Sequence, residues 1–251
     1  MVNRFLAFWA VFSAFFGQKP LYFYNINTSM KLTFTNTERP MVYTLELETL
    51  HSANMFREEL DNENWQVEAF KSVNGRVGGG RHTIDGVGRY NAKANLESIR
   101  GTVLKELFQH VLSDEFKLQW LREMLNTPTF CKMWVASGAE DMANYTILQA
   151  NYVLDNSFTR IGMHLDNRLL VATGMIYLNE SAETIKSRQA TTFYTDENKS
   201  DPLVITPNFG TGWAAVNTHN SWHEGINMSG QQRYSLLLGI AIDIGKLRSN
   251  K

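Results

Sequence analysis

The chain has 251 residues, of which 43% are hydrophobic and 20% are charged. That composition is ordinary for a folded protein and argues against long disorder and against a multi-span membrane protein. We favour one large domain. The formal net charge of -1 makes nucleic acid an unfavoured partner, because phosphate binding normally requires clustered Lys and Arg. A single cysteine, Cys131, cannot close an intrachain disulfide, which fits either a reducing compartment or a fold that needs no disulfide, and we expect the cytoplasm.

Residues 1–29 are predicted to be an N-terminal extension. Their apolar run, residues 5–16, follows Arg4 but is too short to cross a bilayer comfortably, so we predict no stable membrane span. The residues after the run give no clear signal-peptide cleavage pattern. Two alternatives stay open: a signal-like extension, and translation from Met30, which would leave residues 1–29 out of the natural product.

Residues 30–144 are predicted to be a helical and loop support region. Residues 42–47 alternate loosely between apolar and polar and predict a strand. Glycines crowd residues 75–88 without the flanking strand and helix that a nucleotide-binding loop requires. We expect this segment to be either a surface loop or a loop that closes over a substrate.

Two amphipathic helices are predicted in the second half of this region. Apolar residues recur at helical spacing in residues 96–111, and Ser113 is the expected N-cap of a second helix that ends before Pro128. An amphipathic stripe must be buried somewhere, so we expect both helices to pack against the outside of a sheet.

Residues 145–243 change to short β-rich runs separated by turn residues, which predict a β-barrel or sandwich as the core of an α+β fold. Residues 244–251 are predicted to be a tail. The predicted strands are residues 145–154, 158–163, 169–178, 190–194, 203–206, 212–217 and 234–242.

His164-Leu165-Asp166, followed far downstream by His223, supplies three candidate metal ligands. Two imidazoles and one carboxylate can occupy one face of an octahedral Fe(II) centre and leave the opposite positions open for a chelating co-substrate and dioxygen. A closed zinc site has no such vacancy. His-x-Asp alone is a weak signal, because it arises by chance in many chains. His51, His82 and His110 have no partners at ligand spacing and are expected to be surface or core residues.

The order of motifs from residue 145 to residue 243 resembles the Fe(II)- and 2-oxoglutarate-dependent oxygenases, especially their prolyl-4-hydroxylase-like branch. This resemblance implies a double-stranded β-helix, or jelly-roll, core with N-terminal helices that buttress it from outside. The motifs that carry it are His164-Leu165-Asp166, Tyr177-Leu178-Asn179, Thr192-Phe193-Tyr194, Gly210-Thr211-Gly212-Trp213, Trp222-His223-Glu224-Gly225 and Arg233-Tyr234-Ser235.

The resemblance also implies roles for individual residues. His164, Asp166 and His223 would be the iron ligands. Arg233, ten residues after His223, would pair with the far carboxylate of 2-oxoglutarate, and a planar guanidinium can meet a carboxylate with two parallel hydrogen bonds. Ser235 and Tyr177 are further candidate contacts to the co-substrate. His219 is the rival to His223, but the Trp-His-Glu-Gly context and the spacing to Arg233 favour His223.

Asp166 and the residues after Asn179 refine the expected chemistry. Halogenating relatives carry Ala or Gly in place of the carboxylate, so the resemblance implies hydroxylation or another oxidation here. After Asn179 the chain departs from the usual Gly-Gly-Glu-Thr stretch and makes a longer excursion, with Lys186 and Arg188. This excursion and the loop 196–201 are expected either at the mouth of the site or as solvated loops.

The predicted function is that of an Fe(II)/2-oxoglutarate-dependent dioxygenase. It would hydroxylate a small molecule or a protein or peptide side chain, while 2-oxoglutarate and O2 are converted to succinate and CO2. Two alternatives remain: a cupin-like metal enzyme that does not use 2-oxoglutarate, and a non-catalytic β-barrel binding module. The sequence predicts no particular oligomeric state.

Overall fold

Strands dominate the part of the chain that the structure describes. The structure is a computed structural model, and it describes residues 30–39, 41–68, 81–84, 96–125, 138–155, 159–166, 169–180, 183, 186–218 and 220–249. The strands in those residues are β1 (Met30–Asn36), β2 (Val42–Thr49), β3 (Trp65–Glu68), β4 (Arg81–Ile84), β5 (Thr146–Asp155), β6 (Thr159–His164), β7 (Leu170–Tyr177), β8 (Thr191–Tyr194), β9 (Leu203–Ile205), β10 (Thr211–Val216), β11 (Trp222–Asn227) and β12 (Arg233–Ile242). The helices are α1 (Ala53–Asp61), α2 (Thr102–Val111), α3 (Asp114–Leu125), α4 (Gly138–Asn144) and α5 (Ile244–Ser249).

Two antiparallel sheets hold these strands. Within the described residues, one sheet has eight strands in the order β1-β2-β10-β7-β12-β5-β4-β3, and the other has four in the order β6-β11-β8-β9. From β5 to β12 the chain crosses repeatedly between the two sheets, which makes the core the predicted double-stranded β-helix. Strand β12 lies between β7 and β5 and is buried on both faces, as expected for a strand covered by helices on one side and by the second sheet on the other.

The larger sheet separates two hydrophobic clusters. The first cluster lies on the outer face of the larger sheet, where the apolar residues of α1 to α4 pack against strand side chains that point toward the helices. Phe108 of α2 stacks on Tyr152 of β5 with ring centroids 5.7 Å apart, and Tyr152 donates a hydrogen bond to the carbonyl of Leu104. This confirms that the helices pack outside the sheet. Between the two sheets lies a smaller cluster, made of Val42, Met175, Tyr177, Phe193, Ile205, Trp213 and Ala215.

Most of the elements predicted from sequence are present. The seven strands predicted between residues 145 and 243 are confirmed. Ser113 caps α3, because its hydroxyl accepts a hydrogen bond from the backbone N–H of Phe116 at 3.1 Å. Strand patterning missed β1, β3, β4 and β11, although the family resemblance implied that His223 lies on a late strand, as β11 confirms. The region 30–144 therefore contributes four strands to the larger sheet as well as its helices, and the tail contains α5.

Several predictions fall on residues outside the described part of the chain. These are the extension 1–29, Cys131, Pro128, His219 and all of the glycine-rich segment except β4, of which the backbone is described. None of the described helices combines the length and the apolar character that a membrane crossing requires.

The N-terminus of α2 is capped by side chains from α1 and from the loop after it. Gly101 precedes the helix and has no side chain to cap it. Instead, the carboxylate of Glu59 accepts hydrogen bonds from the backbone N–H groups of Thr102, Val103 and Leu104 at 2.9 to 3.1 Å. Glycine is needed before the helix because a Cβ there would lie 2.2 Å from the carboxylate of Glu59. The cap therefore joins α1 to α2 within the layer of helices that packs on the outer face of the larger sheet.

Glu59→Ala is expected to lower the free energy of unfolding by about 1 to 2 kcal/mol, because the free N–H groups at the start of α2 lose their anionic acceptor. Glu58→Ala is the control, since Glu58 lies one residue earlier and is exposed, and a change within about 0.5 kcal/mol is expected. Urea unfolding of the three proteins measures both effects. Equal losses in the two variants would contradict the capping role.

Candidate metal centre

His164, Asp166 and His223 converge at one end of the space between the sheets. His164 ends β6 and lies directly opposite His223 of β11, and their ring centroids are 4.4 Å apart. Asp166 follows β6 by two residues. Its Oδ1 lies 3.6 Å from Nε2 of His164, and its Oδ2 lies 3.6 Å from Nε2 of His223. Three potential ligand atoms therefore lie within 4.8 Å of one another, as the sequence predicted.

Backbone carbonyls fix which nitrogen of each imidazole is available. Nδ1 of His164 lies 2.9 Å from the carbonyl oxygen of Gly162, and Nδ1 of His223 lies 3.0 Å from that of Ser221. A carbonyl oxygen only accepts hydrogen bonds, so Nδ1 carries the proton in both rings. In the neutral form of each ring, the lone pair of Nε2 is then turned toward Asp166. Orientation of a ligating histidine through its other nitrogen is typical of metal sites.

Asp166 is held in its ionised form. Burial alone would raise the pKa of its carboxyl, but the interactions with His164, His223 and the Thr173 hydroxyl outweigh burial and keep that pKa below its ordinary value. Thr173 donates to Oδ2 at 2.7 Å. Burial also lowers the pKa of His223. An anionic carboxylate and a neutral imidazole are the forms that bind a metal, and a cation between them would remove the repulsion among three acceptors that face one another. The residues present therefore fit a divalent metal ion.

Arg233 lies at the start of β12 with its side chain 1% exposed, and it is already paired with a carboxylate of the chain. Its Nε and Nη2 donate to Oδ2 of Asp155 at 3.2 and 2.5 Å. Its Nη1 donates to the carbonyl oxygens of Gln189 and Ile226 at 2.6 and 3.0 Å. Burial would lower the pKa of Arg233, but Asp155 raises it above its ordinary value. The guanidinium fork that the sequence assigned to a co-substrate thus contacts Asp155 in this structure.

Ser235 and Tyr177 lie opposite each other on β12 and β7, and both are fully buried. Neither lines the cavity described below. The Tyr177 hydroxyl is 2.8 Å from that of Thr191, which does line the cavity. The Ser235 hydroxyl has no hydrogen-bond partner among the described residues. Thr191 therefore lines the cavity, whereas Ser235 and Tyr177 lie behind its wall.

A cavity of about 440 Å³ connects the three-residue cluster with Arg233. Its closed end contains the buried Arg233, and its open end is bordered by Leu169 and Ile244, which are 39% and 37% exposed. Gly225 of β11 lies close to Arg233, because a Cβ built on this glycine would be 4.0 Å from Nη2 of Arg233. Gly225 is two residues from His223, which corresponds to about 7 Å along a strand. The guanidinium of Arg233 therefore lies beside the same strand, β11, that carries His223.

The charged loops predicted near the mouth lie elsewhere. None of Lys186, Arg188 or the residues 196–201 is among the residues that line the cavity. Lys199 instead lies on the outer side of β11, where it donates to both oxygens of Glu224 at 2.8 and 3.0 Å. Burial would raise the pKa of Glu224, but hydrogen bonds from Lys199 and Tyr194 lower it below the ordinary value.

The remaining histidines form no second cluster in the part of the chain that the structure describes. His51 lies 3.1 Å from Glu106 near α2. Burial lowers the pKa of His110, which packs against Phe116 in the outer hydrophobic cluster. Both positions agree with the surface or core role that the sequence predicted.

Comparison with known proteins places the fold. No family model and no curated protein matches the sequence. Among solved structures, a prolyl hydroxylase from Trichoplax adhaerens, in complex with a peptide fragment of the hypoxia inducible factor oxygen degradation domain, aligns with a TM-score of 0.50 and 16% identity over 84% of this chain and 88% of that one. A Pseudomonas putida prolyl-4-hydroxylase aligns with a TM-score of 0.46 and 11% identity over 81% and 93%. The first of these likenesses shows that the chain has the fold of that prolyl hydroxylase.

Sequence reasoning missed Thr173, Thr191 and Asp155. Thr173 lies inside an apolar run, and only its position on the inward face of β7 brings it to Asp166. Asp155 is 78 residues from Arg233 in sequence, so no local pattern connects the two. The one available signal was the presence of an acidic residue at the end of a predicted strand.

Thr173→Val is expected to weaken metal binding by about 10- to 100-fold, because Asp166 loses the hydroxyl that orients it. Calorimetric titration with Mn²⁺ measures the affinity. Thr44→Val is the matched control. Thr44 lies on β2, and its hydroxyl donates an exposed hydrogen bond to the carbonyl of Thr35 on β1. An unchanged affinity in Thr173→Val would show that the hydroxyl does not support the ligand.

The stability of the metal-free protein is expected to fall as the pH drops below about 6.5, the ordinary pKa of histidine. Because burial lowers the pKa of His223 in the folded state, the unfolded chain binds more protons in that range, and acid favours unfolding. His223→Gln removes this contribution. The free energy of unfolding, measured in chelator between about pH 7 and pH 5, should then depend less steeply on pH. An equal slope in both proteins would contradict the assignment.

Proposed function

We propose that the protein is an Fe(II)- and 2-oxoglutarate-dependent dioxygenase that oxidises a small molecule or a peptidyl side chain. The observation that carries this proposal is the arrangement of two imidazoles and a carboxylate on one side of a cavity that also contains a buried guanidinium. Such a ligand set leaves metal positions open for a chelating co-substrate and dioxygen. Succinate and CO2 would be the products of the co-substrate.

His164, Asp166 and His223 would hold the iron, and Thr173 would orient Asp166. When bound, Fe(II) would supply the redox chemistry that couples O2 to oxidation of 2-oxoglutarate and of the substrate. The contribution of the chain is to fix the ligand directions through the carbonyls of Gly162 and Ser221 and to exclude water from the closed end of the cavity.

Arg233 and Thr191 would receive the far carboxylate of 2-oxoglutarate. Both line the cavity at its closed end, and Arg233 retains one Nη2 hydrogen that no described residue accepts. Tyr177 would support Thr191 through their hydroxyl contact. Ser235 would act only if its buried hydroxyl turned toward the cavity. The residues between this end and the metal ligands are uncharged, and they include Met175, Trp213 and Leu237.

The substrate would enter from the opposite, open end. The residues that border this end are mostly aliphatic, which favours a substrate that presents an apolar group to the metal. The Trichoplax prolyl hydroxylase is in complex with a peptide, and a peptidyl side chain is accordingly one of the two substrate classes that we propose. The aliphatic residues at the open end are Ile147, Leu165, Leu169, Leu170, Ile242 and Ile244. The single cysteine supports a cytoplasmic location.

The two alternatives fit the site less well. A cupin-like enzyme without 2-oxoglutarate would not use the Nη2 hydrogen of Arg233 that is left after its contacts with Asp155 and the two carbonyls. A non-catalytic binding module would have no use for three facing acceptors, of which His223 is buried, and burying an acceptor without a partner is unfavourable.

Wild-type protein supplied with Fe(II), 2-oxoglutarate and O2 in a substrate screen is expected to form succinate, and Asp166→Ala is expected to form at least about 100-fold less because the iron loses its carboxylate ligand. Asp61→Ala is the control, since Asp61 lies on α1 outside the cavity. Succinate is quantified by mass spectrometry. Absence of both succinate and an Fe(II)-dependent 2-oxoglutarate absorption band under anaerobic conditions would sink the proposal.

A further inference from the structure

We propose that Asp155 is a built-in counter-ion that competes with the far carboxylate of the co-substrate for the guanidinium of Arg233. It would thereby set how strongly the site prefers a dicarboxylic 2-oxo acid over a monocarboxylic one. This inference rests on the proposed function, because it concerns the same cavity. It is carried by the ion pair between Asp155 and Arg233, whose side chains are 0% and 1% exposed.

The hydrogen bonds of Arg233 leave no pair of parallel N–H groups for a second carboxylate. An arginine has five N–H hydrogens in a planar arrangement. Two of them, on Nε and Nη2, are directed to Oδ2 of Asp155, and the two on Nη1 are directed to the carbonyls of Gln189 and Ile226. One hydrogen on Nη2 remains among the described contacts. A co-substrate carboxylate would therefore meet a single N–H of Arg233 rather than the usual pair.

The charge of Asp155 acts against a second anion at the same guanidinium. Like charges about 6 Å apart repel each other appreciably in a region shielded from bulk water. Asp155 therefore weakens the hold on the far carboxylate. It also prevents Arg233 from being an unpaired buried charge when no co-substrate is bound, which would strongly destabilise the fold.

Asp155→Asn removes the negative charge of Asp155 and nearly preserves the shape of its side chain. The amide has nearly the same shape and keeps an oxygen that can accept from Nη2, and the carbonyls of Gln189 and Ile226 still hold Nη1. The guanidinium is thus expected to stay in place. Asp61→Asn is the matched control, because Asp61 accepts a hydrogen bond from the hydroxyl of Tyr234, the neighbour of Arg233 on the other face of β12.

The test compares 2-oxoglutarate with 2-oxopentanoate, which has a methyl group in place of the far carboxylate. Each is titrated by calorimetry into Mn²⁺-loaded protein. Wild type is expected to prefer 2-oxoglutarate by less than about tenfold, and Asp155→Asn is expected to raise that ratio by at least about tenfold. The ratio in Asp61→Asn should equal that of wild type. The melting temperature of Asp155→Asn should be lower without 2-oxoglutarate and should rise more when it is added than that of wild type.

A ratio that is unchanged or lower in folded Asp155→Asn would overturn this inference alone, provided that 2-oxoglutarate binds wild type. If the variant does not fold, the wild-type ratio decides, and a preference of about tenfold or more would overturn the inference. If neither 2-oxo acid binds the wild-type protein, the proposed function fails and the inference fails with it.

Discussion

The rest of the site depends on one electrostatic constraint, the carboxylate of Asp166 facing the lone pairs of two imidazoles. The carbonyls of Gly162 and Ser221 accept the Nδ1 protons, so neutral His164 and His223 have no hydrogen to offer Asp166. Three acceptors within 4.8 Å repel one another. The fold tolerates this arrangement because the cross-strand pairing of β6 and β11 fixes both rings from the backbone. A bound cation would offset the repulsion between these three acceptors.

Both sheets supply residues that line the cavity or support it. The smaller sheet supplies both histidines on adjacent strands, whereas the larger sheet supplies Thr173, Arg233 and Asp155 on β7, β12 and β5. Helices α1 to α4 pack on the outer face of the larger sheet, so they stabilise the wall without contributing residues to the cluster, whereas α5 begins at Ile244, which borders the cavity. The cap that Glu59 provides for α2 belongs to this indirect support. The residues that line the cavity therefore come from both sheets.

The apolar pattern of the sequence predicted seven strands of the core, but the strand that carries His223 was implied only by the family resemblance. Most core strands are apolar or alternate regularly, as in β7 and β12, since both are buried. β11 reads Trp-His-Glu-Gly-Ile-Asn, because its inner face bears a ligand and a glycine and its outer face bears Glu224 in an ionic cluster. Hydropathy therefore missed the strand, and only the family resemblance selected His223. Asp155 was missed for another reason: its partner lies far away in sequence, and pairing of β5 with β12 is a property of the tertiary fold.

The two ends of the cavity differ in what they lack. At the metal end the acceptors have no positive charge among them, so affinity for a cation is built into the empty protein. At the closed end the guanidinium already has a carboxylate and two carbonyls as partners, so that end is stable without a ligand. A co-substrate that spans the cavity would then gain most of its binding energy by chelating the metal, and the closed end would mainly align it.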